Sequence, residues 1–108
     1  MKKRVLINGA LGHMGQAVLA ALKADDGELV PAVGIDIQRG DFPGALFSSA
    51  EDVDAPFDVA IDFSRPQATM AVLDLCLREG KPLVTGTTGL GEAEMARLKE
   101  ASKTIPIF

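Results

Sequence analysis

The stretch Arg4-Val5-Leu6-Ile7-Asn8-Gly9-Ala10-Leu11-Gly12-His13-Met14-Gly15 joins two periodicities at one turn. Its first five residues form a short apolar run rich in β-branched side chains, as in a strand buried on both faces of a parallel sheet. Gly9 stops the run. Beyond it, Met14, Ala17, Val18, Ala21 and Leu22 follow the i, i+3, i+4, i+7, i+8 spacing of one helix face. A strand, a glycine-rich turn and a helix in that order bring backbone N–H groups and the positive end of a helix to one point, where a pyrophosphate can be held. The spacing is G-x-x-G-x-x-G, and such a match alone is weak. A tight strand-to-helix turn with no ligand uses the same residues.

Reading outward, Asp25-Asp26-Gly27 ends the first helix, and Leu29 to Ile37 reads as a second strand with Pro31 at its entry. Residues 38–56 carry Gly40, Pro43, Gly44 and Pro56 and read as a loop-rich crossover. Within it, Ser48 or Ser49 caps one helical turn at 50–53. Asp58 to Phe63 is the next strand. Ser64 is then an N-cap and Pro66 takes the first helical position, ahead of a buried stripe of Thr69, Val72, Leu73, Cys76 and Leu77 closed by Gly80. Leu83 to Thr85 is a strand running into Gly86. Glu92 to Lys103 is a helix with Met95, Leu98 and Ser102 on one face, and Ile105 to Phe108 a last strand. Strands alternating with helices predict an α/β fold, a doubly wound, Rossmann-type parallel sheet in one domain over residues 1–108.

Composition narrows the function. The 108 residues are 47% hydrophobic and 24% charged, ordinary values for a globular domain. Net charge is −4 and no basic cluster exists, so no nucleic-acid partner is expected. No apolar run approaches the roughly 20 residues of a membrane helix. Lys2, Lys3 and Arg4 resemble a signal-peptide start, but Asn8, Gly9, Gly12 and His13 break the apolar run that should follow. A cytoplasmic protein with no membrane partner is expected. One cysteine, Cys76, excludes an intramolecular disulfide and a thiolate-cluster metal site, and it reads as an inert core residue. With one histidine, no His-based metal site is expected. With no tyrosine, a Tyr-x-x-x-Lys reductase mechanism is excluded.

Candidate ligand contacts gather at the carboxyl ends of strands, where open α/β sheets bind ligands. Asp36 stands at the end of the second strand, where an acidic side chain accepts hydrogen bonds from an adenosine ribose. Asp62-Phe63-Ser64 and Gly86-Thr87-Thr88-Gly89 end two further strands. The glycines admit close backbone approach and the threonines offer hydroxyls. Ser64 serves as a cap, a ligand contact or both. Asp62 has the chemistry of a general base, although a strand-end aspartate more often ties down neighbouring loops. His13 is either solvated or a phosphate contact.

Together, Gly9-Ala10-x-Gly12-x-Met14-Gly15, Ile61-Asp62-Phe63-Ser64-x-Pro66 and Gly86-Thr87-Thr88-Gly89 resemble the N-terminal half of the 4-hydroxy-tetrahydrodipicolinate reductase (dihydrodipicolinate reductase) family. The resemblance runs over the whole chain. It implies a nicotinamide-dependent reductase of the diaminopimelate route to lysine. Hydride passes from the nicotinamide to a cyclic dicarboxylic imine in that reaction. Carried over residue by residue, Gly9, Ala10, Leu11, Gly12, His13, Met14 and Gly15 hold the pyrophosphate and Asp36 the adenosine ribose. Phe63 and Ser64 line the nicotinamide side, and Gly86, Thr87 and Thr88 its ribose and amide. Thr88 also reaches the substrate. The family often has arginine at the position of His13. Many members place another directly after the acidic residue, where this chain has Ile37, with Arg39 two residues on. NADH is therefore favoured over NADPH, with dual use left open.

The family's Asn-Phe-Ser-x-Gly-Val segment, its His-His-x-x-Lys catalytic region and its substrate domain belong beyond Phe108. The chain thus reads as a truncation with no catalytic residue of its own, cut from a parent that forms homo-oligomers and meets a small-molecule substrate only at full length. The competing reading is a nucleotide- or CoA-binding sensor that does not catalyse, for which the glycine turn and Asp36 suffice. A third is a bare structural fragment that binds nothing.

Overall fold

A computed structural model describes residues 2–24 and 27–108. Asp25 and Asp26, expected to end the first helix, lie outside the described residues. The described elements are β1 (Lys3–Asn8), α1 (His13–Ala24), β2 (Leu29–Ile35), β3 (Ala45–Phe47), β4 (Val59–Asp62), α2 (Pro66–Glu79), β5 (Leu83–Thr85) and α3 (Glu92–Ala101), with a 3₁₀ turn at Ala50–Asp52. The strands form one sheet in the order β3-β2-β1-β4-β5, parallel at every pairing. This is the doubly wound Rossmann-type order, whose direction reverses between β1 and β4. None of the described helices is long and apolar enough to cross a membrane.

β1 is central because both its faces are apolar. Val5 and Ile7 pack with Ala10, Leu19 and Leu22 under α1. Leu6 faces the other way, into the larger core of Val33, Ala60, Val72, Leu73, Cys76 and Leu83 that α2 and α3 cover. Helices on both faces exclude water from Val5, Leu6 and Ile7 of β1, while Val59 and Ile61 of β4 are partly buried. At the amino end of β4, the Arg4 guanidinium and backbone N–H both donate to the Asp58 carboxylate, clamping β1 to the β4 entry.

Several sequence expectations shift in detail. The buried face of α1 is Gly15, Val18, Leu19 and Leu22, while Ala17 and Ala21 are exposed and Met14 is 51% exposed. The helix is turned because Gly15 presses on the glycine turn: a Cβ there would stand 2.1 Å from the Gly9 carbonyl oxygen. Pro31 lies inside β2 rather than at its entry. The register jumps there, Val5 pairing with Pro31 and Leu6 with Val33, and this bulge absorbs the missing N–H. β2 ends at Ile35, two residues early, because Asp36 turns to hold the neighbouring loop. The crossover contains β3, an edge strand of three residues too short for alternation to reveal. Ser49 sits at the N-cap position of the 3₁₀ turn, but its hydroxyl bonds the Asp52 side chain rather than a backbone N–H.

Arg65, not Ser64, is the N-cap residue of α2, and Pro66 follows at the first helical position. Gly80 closes α2 in the left-handed conformation at φ 66°, as a C-terminal glycine does. α3 stops at Ala101, burying Leu98 and Ala101 while Met95 and Ser102 are exposed. The expected last strand is reduced to one bridge, Leu83 to Ile107, where the chain runs parallel beside β5. Pro106 has no N–H to extend the ladder.

Candidate functional site

The carboxyl ends of β1, β2 and β4 open into one cleft of about 560 Å³, within the usual range of ligand pockets. Gly9 and Gly12 form one wall, Asp36, Ile37 and Gln38 a second, and Phe63, Ser64 and Arg65 a third. Ser48, Ser49 and Glu51 close the side toward the crossover, and Gln67, Ala68 and Ala71 of α2 complete it.

Gly9 is required by geometry. Its φ is +82°, and a Cβ would stand 2.3 Å from the Phe63 carbonyl oxygen. The β1 turn therefore lies directly against the β4 turn. Within the turn, Gly9 and Ala10 N–H groups donate to the Ile35 carbonyl (2.9 and 3.1 Å), and Gly12 N–H to the Gly9 carbonyl (3.1 Å). Leu11 N–H donates to Asp36 Oδ2 at 2.8 Å. These four donors are committed within the protein. α1 begins at His13, so the N–H groups of His13, Met14 and Gly15 have no intrahelical acceptor and carry the positive end of the helix. This end can take an anion, and its neighbour Gly12 is exposed with no close obstruction to its Cβ position. The side chains of His13 and Met14 project into solvent at the helix start and do not line the cleft.

Asp36 faces the cleft from the end of β2. Each carboxylate oxygen accepts one backbone bond, Oδ2 from Leu11 and Oδ1 from Gln38 at 2.9 Å. A carboxylate has about four acceptor positions, so about one per oxygen remains for a ligand. Ile37, where the family resemblance leads one to look for arginine, is 80% exposed at the cleft wall. Arg39 is exposed and does not line it.

Gly86, Thr87 and Thr88 stand at the end of β5, outside the cleft but against its third wall. A Cβ on Gly86 would stand 2.2 Å from the Phe63 ring, so the bare backbone leaves room for that ring. Thr87 Oγ1 accepts the Ser64 N–H at 2.9 Å. Thr88 is exposed, with its side chain available at the rim.

Asp62 is 0% exposed and does not line the cleft. Its Oδ1 accepts from Asn8 Nδ2 at 2.9 Å and from the Ser64 hydroxyl. Its Oδ2 accepts from Thr69 (2.6 Å), Thr85 (2.8 Å) and Thr87 (2.8 Å) hydroxyls. These donors fill the carboxylate's acceptor positions, so the role of tying down loops describes it and that of a general base does not. The Ser64 hydroxyl donates here and accepts from Asn8 Nδ2 at 3.2 Å, and α2 has no side-chain cap bond. Cys76 is buried, and burial, with the nearby Asp62 charge, pushes its thiol up to about 12. Such a thiol is a core group rather than a nucleophile.

The sequence reading missed Arg65, Gln67 and the Ser48–Glu51 wall. Arg65 carried a signal, a cation directly after a strand-end turn. The crossover wall carried none, because its place depends on the unforeseen β3.

A dinucleotide fits this arrangement: a bare-backbone turn and a carboxylate with free acceptor positions line one cleft, and the anion-accepting end of α1 follows directly on the cleft-lining Gly12. The comparisons with known proteins agree. The family model for dihydrodipicolinate reductase, N-terminus, matches residues 3–108. The 4-hydroxy-tetrahydrodipicolinate reductase of Xanthomonas campestris pv. campestris is 45% identical over 108 residues, covering 96% of this chain and 45% of that protein. The chain thus spans about half the length of the curated relatives it matches. Among solved structures, a dipicolinate-bound dihydrodipicolinate reductase from Paenisporosarcina sp. TG-14 superposes with a TM-score of 0.78 at 22% identity, over 94% of this chain and 43% of that one. The WlbA (WbpB) dehydrogenase from Thermus thermophilus, in complex with NAD and alpha-ketoglutarate, gives 0.76 at 21% identity, over 100% and 40%. At such identities the structures speak for the fold alone, but the family model spans nearly the whole chain: it belongs to the dihydrodipicolinate reductase family and corresponds to that family's N-terminal part.

Proposed function

We propose that residues 1–108 are the nicotinamide-dinucleotide-binding domain of a reductase that acts on a cyclic dicarboxylic imine in lysine biosynthesis. The observation that carries this reading is the cleft itself, with the Asp36 carboxylate and Gly12, the residue before the open end of α1, on its walls. The first-turn N–H groups of α1 take the pyrophosphate. Asp36 accepts the adenosine ribose hydroxyls, which favours NADH. Phe63 and Ser64 flank the nicotinamide, Gly86 to Thr88 approach its ribose and amide, and Thr88 reaches the substrate. When bound, the reduced nicotinamide supplies the hydride. This chain's residues bind and orient, and the groups that protonate the substrate come from elsewhere in the whole protein. Residues 1–108 alone therefore bind without turnover.

Gly12→Asp tests the reading. Gly12 directly precedes α1, its carbonyl accepts the Gln16 N–H at 2.9 Å as an N-cap carbonyl does, and it has room for a side chain; aspartate is among the favoured N-cap residues. The substitution should hold or raise thermal stability while setting a carboxylate where the pyrophosphate sits. Calorimetry is expected to show NADH binding to the wild type and at least about tenfold weaker binding to Gly12→Asp, from like-charge repulsion of ~1.4 kcal/mol or more. Equal NADH affinities, or binding of CoA with none of NADH, would overturn it.

A further inference from the structure

We propose that Asp62 is a positioning residue for the nicotinamide end of the cleft, setting Ser64 and Thr87 in place without touching a ligand itself. The inference rests on the dinucleotide reading above. The carboxylate is buried below the cleft floor, and its partners come from four elements or their ends: Asn8 from β1, Ser64 from the β4 turn, Thr69 from α2, and Thr85 and Thr87 from β5 and its turn.

Two of these partners are also joined to each other. Thr87 Oγ1 donates to Asp62 and accepts from Ser64 N–H, so a single hydroxyl bridges the β4 and β5 turns through the carboxylate. Asn8 Nδ2 continues the link, donating to Asp62 and to the Ala68 carbonyl at 3.1 Å in the first turn of α2. The spacing between the Phe63-Ser64 wall and the Gly86-Thr87 turn is therefore set by an acceptor that takes donors on both oxygens. An amide cannot do the same, because its NH₂ donates. With asparagine at 62, the oxygen can face either the Asn8–Ser64 donors or the threonine hydroxyls. Either way some hydroxyls must turn, and the Ser64–Thr87 bridge loses its anchor. The α1 end and Asp36 lie on the other walls and make no bond to Asp62. The adenosine half of the site is thus independent of it.

The test compares two ligands on the 108-residue chain, NADH and ADP, which lacks both the nicotinamide ring and its ribose. For the wild type, NADH should bind more tightly than ADP. Asp62→Asn is expected to weaken NADH about tenfold and ADP less than about twofold, collapsing the ratio toward one. Thr69→Val also removes a hydroxyl from Asp62, but on the α2 side. It should lower the melting temperature and leave the ratio unchanged. Thr85→Val, milder than Asp62→Asn, should move the ratio the same way by about threefold and serves if Asp62→Asn does not fold. Equal losses for both ligands, or no loss, would overturn the positioning role and leave dinucleotide binding standing. A wild-type chain that binds neither ligand refutes the dinucleotide reading, and the role of Asp62 with it.

Discussion

Replacing Asp36 by alanine should exchange the chain's cofactor preference, and the expected size follows from the hydrogen bonds at that carboxylate. Leu11 and Gln38 N–H groups take one position on each oxygen, leaving about one on each for vicinal ribose hydroxyls. Hydrogen bonds to a charged acceptor contribute roughly 1.5–3 kcal/mol each before partial replacement by water. Losing the pair should weaken NADH by about 2–3 kcal/mol, on the order of 30- to 150-fold. For NADPH the balance differs. A 2′-phosphate carries about −1.5 to −2 charges, and each repels a carboxylate about 4 Å away by ~1 kcal/mol even in bulk water. Glu51 on the same cleft adds to this. Removing Asp36 deletes that repulsion and frees the Leu11 and Gln38 N–H groups for the phosphate. NADPH affinity should therefore stay within about threefold. The assay is a set of dissociation constants for both cofactors with wild type and Asp36→Ala, by fluorescence at one salt concentration. Wild-type NADPH binding tenfold tighter than NADH, or equal losses of both in the variant, would refute the reasoning.

Gly9→Ala forces a Cβ against the Phe63 carbonyl at φ +82°; it should cost at least ~1–3 kcal/mol by thermal or denaturant unfolding and abolish NADH binding in calorimetry. Native Cys76, its thiol pushed up to about 12 by burial, should resist iodoacetamide at pH 8 and label promptly once unfolded, as mass spectrometry would show. The Arg4 guanidinium and backbone N–H hold the Asp58 carboxyl well below its ordinary value of 3.8. That stabilisation is full above the ordinary value and is lost as pH falls from about 3.8 toward the depressed one. Asp58→Asn should remove this component of the acid dependence, read as denaturation midpoints against pH.

Local signals revealed much of this fold and site. The run from Arg4 to Gly15 specified a buried strand, a turn and a helix because each step rests on neighbouring residues. Pro66 and Gly80 marked the ends of α2 for the same reason. What escaped depends on contacts distant in sequence. The face of α1 is set by Gly15 against Gly9, which spacing placed one position away. Ser64 reads as a cap until Asp62 is seen to occupy its hydroxyl. β3 pairs with β2 through three residues between glycine and serine, too few to show a period. Asp36 was legible, but its bonds to Leu11 and Gln38 were not.

The most direct test is to titrate NADH into the nitrogen-15-labelled 108-residue chain and follow its amide resonances. The amides of His13, Met14, Gly15, Gln38, Ser64 and Thr87 should shift together and saturate, while those of Phe57 and Asp58, at the amino end of β4, stay in place. Unchanged spectra at millimolar NADH, or shifts confined to residues outside the cleft, would contradict a dinucleotide held at the ends of β1, β2 and β4.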